Sequence, residues 1–273
     1  MNEPASPDAA DAAPMSAPMS ASTSPPTSAP TAAVLLIGNE LLSGRTQDAN
    51  LQAIATRLAE RGIRLRQTRV IPDETDAIVS AVNELRAGHD LLFTTGGIGP
   101  THDDITTDAV AAAFGVEMVF HDEARRRMEA YAEQRGYVLN EDSLRMARIP
   151  VGATLIDNPV SAAPGFRLGN VLVMAGVPSI VIGMLDAVQE QLPRGVRVGS
   201  VSVCVFDRGE SVIATPLRAL QARYPDVDIG SYPGRVDGRS RVELVARSDD
   251  AQRLAAVQRE LQALVDALPA VRR

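Results

Sequence analysis

The chain has no lysine and no tryptophan, one cysteine, and aromatic residues at only 3% of its 273 positions. Each shortage excludes something. Without lysine there is no Schiff-base nucleophile, no pyridoxal-type anchor and no Walker A phosphate clamp. A lone cysteine, Cys204, excludes intrachain disulfides and multi-cysteine zinc sites, and is expected to be a buried apolar filler. It also permits a reducing compartment, and the chain is expected to be cytoplasmic. Few aromatics leave no stacking platform for single-stranded nucleic acid, and a net charge of −7 opposes binding to a phosphate backbone. Nucleic acid is therefore not an expected partner. No apolar run reaches the roughly 18 residues of a membrane span, so no membrane partner is expected either. A hydrophobic content of 45% is ample for a core.

Residues 1–31 are almost entirely Ala, Pro, Ser, Thr and Met. Such a stretch buries too little apolar surface to offset its ordering entropy and reads as a disordered tail without signal-peptide character. Residues 32–194 alternate strand and helix patterns, which implies an α/β domain with a mostly parallel sheet between helical layers. Strands are expected at 33–38, 63–71 and 90–95, and helices at 48–61, 74–86 and 103–114. Looser elements follow, including a hairpin over 165–174 and a helix after Pro178. Residues 195–273 read as a small α+β domain, one helical layer on an antiparallel sheet.

The most informative stretch is Thr94–Thr107, where a buried strand runs into Gly96, Gly97 and Gly99 and then into a helix. Glycines let backbone N–H groups approach an anion, and a helix N-terminus favours negative charge. Thr101 reads as the cap of that helix. Asp103 and Asp104 would repel a phosphate there by about 4 kcal/mol per charge pair at 4 Å and intermediate dielectric. A divalent cation between them reverses the sign, and carboxylate plus phosphate oxygen is a magnesium environment. The turn thus predicts a metal-bridged phosphate or diphosphate. The first strand ends at Gly38-Asn39-Glu40, followed by Ser43, Gly44 and Asp48. If the first and third strands are neighbours, Glu40, Asp48 and Asp104 converge; alternatively, Asp48 caps the next helix. His102 is a loop residue with a minor contact or a base. Arg125–Arg127 reads as a solvated helix face.

The runs Gly38–Asp48 and Gly96–Thr106, followed in order by Asn158–Gly165 and Ala175–Ser179, resemble the competence/damage-inducible protein A (CinA) family. Ile229-Gly230-Ser231-Tyr232-Pro233 is similar to the small domain of the FAD synthase module. The resemblance implies a three-layer molybdopterin-binding-like domain plus a small C-terminal α+β domain, and a homo-oligomer. It also implies metal-dependent hydrolysis of ADP-ribose or FAD-type diphosphates; a non-hydrolytic molybdopterin-binding or adenylyl-transfer protein is the alternative. No C-terminal deamidase domain, as some relatives carry, is expected. The metal, magnesium or similar, would sit on Asp48 and Asp104. Asp103 or Glu40 would orient the attacking water. Gly38, Asn39, Ser43, Gly44, Gly96, Gly97, Gly99, Thr101, Thr106, Ser161, Gly176 and Pro178 would hold a nucleotide or pterin phosphate.

Overall fold

Thr31–Ile37 (β1) is buried on both faces beyond its first residue, which a strand achieves only inside a sheet covered on two sides. The computed structural model describes residues 29–268. Most of the expected disordered tail, 1–28, lies outside the described residues. The chain is already anchored at its end. Pro30 O accepts the Arg64 N–H, and the Thr31 N–H and hydroxyl both donate to Asp90 at 2.7 Å.

After β1 come α1 (Asn39–Leu42), α2 (Asn50–Glu60), β2 (Arg64–Ile71), α3 (Thr75–Gly88), β3 (Leu91–Thr95) and α4 (Thr106–Phe114). Then follow β4 (Met118–Phe120), α5 (Asp122–Arg135), α6 (Glu141–Arg145), β5 (Arg148–Pro150), β6 (Thr154–Ile156), β7 (Gly165–Leu168), β8 (Val171–Met174) and α7 (Pro178–Val188). The main sheet has the order β2-β1-β3-β8-β7-β6. Strands β2, β1, β3 and β8 are parallel, and β7 pairs antiparallel with β8 and β6. The chain goes from β1 to β2 on one side and then crosses to β3 on the other. The loops after β1 and β3 therefore part at a switch point, where open α/β sheets bind ligands.

Alternation along β1 divides the core. Ala33, Leu35 and Ile37 pack with α3, α4 and α5, whereas Ala32, Val34 and Leu36 pack with α2 and α7. The result is the expected helix–sheet–helix layering. Three details differ from expectation. The helix of the glycine turn begins at Thr106, not at 103, so Thr101 is not its cap and the two aspartates stand in a separate turn before it. The cause is local: Thr101 and the two aspartates satisfy one another, as described below. β4 and β5 form a short antiparallel ribbon that three-residue strands do not announce in sequence. Four residues of helix, α1, occupy the loop after β1.

The C-terminal part comprises β9 (Gly199–Phe206), α8 (Glu210–Arg223), β10 (Asp228–Val236), β11 (Arg239–Ser248) and α9 (Ala251–Asp266). Its antiparallel sheet has the order β10-β11-β9. Val203, Val205, Val242 and Leu244 face the helices. β10 continues through Val236, so the turn into β11 is only Asp237–Gly238. Cys204 is half-buried, not buried, since the inward positions of β9 belong to its neighbours Val203 and Val205. Among the described residues no helix is long and apolar enough to cross a membrane.

Candidate active site

The carboxyl ends of β1, β2, β3 and β8 open into one cleft of about 510 Å³. Ile37 ends β1, Asp73 follows β2, Gly96 follows β3 and Ala175 follows β8, and all four line it. The glycine turn is its floor. Gly96 has φ +103°, and a Cβ there would overlap the Ile37 carbonyl. Gly97 has φ +67°, and a Cβ there would overlap the Thr106 hydroxyl beneath it. Both positions need glycine for conformation and for space. Gly96 donates to Met174 O, and Gly97 O accepts the Thr106 N–H. The N–H groups of Gly97, Ile98 and Gly99 find no acceptor among the described residues. Three successive free donors in a concave turn suit an anion.

Beyond the turn, Thr101 ties the acid pair together. Its hydroxyl lies 2.6 Å from Asp103 Oδ1 and 2.5 Å from Asp104 Oδ2, and its N–H donates to Asp104 Oδ2 at 2.8 Å. A hydroxyl has one proton, so it serves one carboxylate at a time. The Thr101 hydroxyl, then the Asp103 backbone N–H and the His102 charge, hold the Asp103 carboxyl below its ordinary value. Asp103 thus favours the folded state above the ordinary carboxylate range. That contribution is lost as pH falls through its lowered folded value. Thr101→Val should raise the Asp103 midpoint in an NMR titration of its carboxyl carbon. An unmoved midpoint would show that the shared hydroxyl is not its cause. His102 is almost fully exposed, 3.9 Å from Asp103, and does not line the cleft.

Among the other expected site residues, Glu40, Gly99, Ser161 and Gly176 line this cleft. Asn158 organises the wall that carries Ser161. Its Nδ2 donates to Ser161 Oγ and Ala163 O, and its Oδ1 accepts the Val160 and Ser161 N–H groups. Thr106 is buried under the turn. Pro178 opens α7, whose preceding residue Val177 lines the cleft. Gly38 and Asn39 lie behind Glu40, and the Asn39 N–H donates to Asp73. Ser43 and Gly44 close α1 at the surface. Asp48 is outside the lining. Its carboxylate accepts the Asn50 and Leu51 N–H groups at 3.2 and 2.9 Å, capping α2. Asn50 is buried and in turn donates to Gly176 O at 2.7 Å. Asp48 therefore reaches the cleft wall through Asn50.

Asp73 is the cleft carboxylate missing from the sequence expectations. The available signal was its place directly after a parallel strand, at the end where ligands bind. With it, four carboxylates line the cleft and no arginine or histidine does. Asp103 and Asp104 offer the hard oxygen donors magnesium takes, on one shared hydroxyl, so the residues fit a divalent cation. Among the described residues no three His, Cys, Asp or Glu side chains form a metal-holding group. A cation here would complete its shell with ligand oxygens and water, as magnesium usually does.

Comparison with known proteins bears on this geometry. Residues 33–194 match the family model described as "Probable molybdopterin binding domain", and residues 203–272 match "FAD synthase, middle domain". The Pyrobaculum aerophilum protein PAE0875 is 38% identical over 208 residues, 73% of this chain and 78% of that one. A CinA-like protein of Geobacter metallireducens is 33% identical over 245 residues; the match covers 85% of this chain and 58% of that relative's length. The crystal structure of the protein CinA, of unknown function, from Thermoplasma acidophilum aligns with 60% of this chain and 98% of its own, at 32% identity and a TM-score of 0.55.

Proposed function

Because the chain belongs to the CinA-like family built on a molybdopterin-binding-type domain, we propose that its cleft performs metal-assisted hydrolysis of the diphosphate bond in nucleotides of the ADP-ribose or FAD type. The observation that carries this reading is the pairing, within one cleft, of free glycine-turn N–H groups with the Thr101-bridged acid pair. The turn would bind phosphate oxygens. Asp103 and Asp104 would hold the cation, which supplies Lewis acidity and a more acidic bound water. Diphosphate hydrolysis asks for charge neutralisation and a placed water more than for covalent chemistry. Water adds to one phosphorus, the bridging P–O bond breaks, and the leaving phosphate takes the electron pair. Asp103, bonded to the Thr101 hydroxyl and engaged with the cation in this reading, is not free to take a proton. Glu40, across the cleft, is assigned to orient the water and take its proton.

The test is incubation of the purified chain with ADP-ribose or FAD and magnesium. AMP release that stops on chelation is expected. Absence of AMP from both substrates would remove the hydrolytic reading. The family description itself favours a second reading, a molybdopterin-binding protein that does not hydrolyse its ligand; a pterin co-purifying with the inactive chain would support it.

A further inference from the structure

Four carboxylates and no basic side chain line the cleft. A diphosphate adds negative charge, and one divalent cation offsets only part of the total. More positive charge has to come from the rim. Pro100 and Thr101 form a ridge that the cleft shares with a second concavity of about 440 Å³, where His102 and Arg145 lie. Arg145 enters no ion pair among the described residues. Nearby Arg125, Arg126, Arg127 and Arg148 each hold a carboxylate. Asp142 is the one carboxylate lining this second lobe.

The second lobe does not end at Arg145. Asp142 and Arg145 also line a third concavity of about 430 Å³, together with Glu141 and with Arg125, which is paired to Glu129; its apolar side is Phe120 and Leu144. Phe120 is 61% exposed, whereas Phe93 and Phe166 are fully buried. Its backbone is fixed, because it closes β4 and pairs with Arg148 of β5. Phe120 thus presents an open aromatic face at a strand end, as Phe206 does at the end of β9, but only Phe120 adjoins the concavities described here.

We infer that the three concavities form one trench for a dinucleotide-type diphosphate, with the diphosphate at the glycine turn, the adjoining sugar or phosphate at Arg145 and a flat ring on Phe120. This rests on the diphosphate reading above and extends it to the substrate's outer end. Each lobe is in the size range of small-molecule sites. Arg145 supplies the charge that the cleft lacks, and Phe120 the apolar contact that polar floor and walls do not.

Calorimetry on the full chain with magnesium separates the parts, using as probes inorganic diphosphate and ADP-ribose whose bridging oxygen is replaced by a methylene group, so that no turnover occurs. Phe120→Ala should weaken ADP-ribose about tenfold, the typical loss of one base–aromatic stack, and leave diphosphate unchanged. Phe120→Tyr should restore the affinity. Arg145→Ala should weaken ADP-ribose about tenfold or more, and Arg145→Lys should recover only part, since ammonium lacks the guanidinium fork. Both side chains are exposed, so thermal melts should match wild type. Unchanged ADP-ribose affinity in Phe120→Ala would overturn the trench. If that variant also changed mass by light scattering, Phe120 would be a contact between copies of the chain. Diphosphate binding without ADP-ribose binding would overturn the trench and the ADP-ribose part of the reading above, leaving the glycine turn as an anion site. Analogue binding sensitive to Phe120, with no AMP released from ADP-ribose itself, would spare the trench and overturn the hydrolytic reading. A wild-type chain that binds neither probe would overturn both.

Discussion

Asp104→Asn should lower the turnover of ADP-ribose by about a thousandfold or more, the scale of losing several kcal/mol of metal-derived transition-state stabilisation. The fold should survive. The amide oxygen of asparagine can still accept the Thr101 N–H that Asp104 Oδ2 accepts at 2.8 Å, so the turn keeps its bond. What is lost is the negative charge that draws a cation into the cleft. Raising magnesium should therefore recover part of the rate in Asp104→Asn if the carboxylate acts through the cation. Steady-state assays across magnesium concentration, beside a thermal melt, check both statements. Full activity in this variant would refute the assignment.

Gly96→Ala should have the largest effect on stability. The new Cβ would overlap Ile37 O at a φ of +103°, in the region side chains rarely enter. Backbone strain and steric overlap together should cost about 3–5 kcal/mol, lowering Tm by roughly 10 °C in a chain of this size. Neither β1 nor β3 can yield cheaply, since both are buried and hydrogen-bonded in the centre of the sheet. Gly44→Ala is the control. Gly44 also has positive φ, +71°, but a Cβ there meets nothing within 4 Å. That variant should lose only about 1–2 kcal/mol. A Gly96→Ala melt no lower than that of Gly44→Ala would contradict the packing described for the turn.

Much of this was legible in the sequence because it rests on local signals. Strand–helix alternation requires a covered parallel sheet whatever the details. Gly96 and Gly97 after a buried strand mark a tight turn, because only glycine combines a positive φ with so close an approach to Ile37 O and the Thr106 hydroxyl. The short ribbon β4–β5 was not legible, because three residues carry no periodicity and the pairing joins positions about thirty residues apart. Nor was the start of α4, where Thr101, Asp103 and Asp104 satisfy each other through side-chain bonds that compete with helix formation.

The roles of the acids divide along the same line. Residue type and order alone determined that carboxylates follow the first and third strands, and that Asp103–Asp104 adjoin a glycine-rich turn. Which carboxylates share a cleft was a matter of tertiary structure. Crossing from β2 over β1 to β3 brings Asp73 to the cleft beside Glu40, and the helix-capping bonds of Asp48 keep it out of the lining. The reason is physical: a carboxylate's chemistry is set by its residue type, but its partners are set by which loops the sheet order brings to one edge.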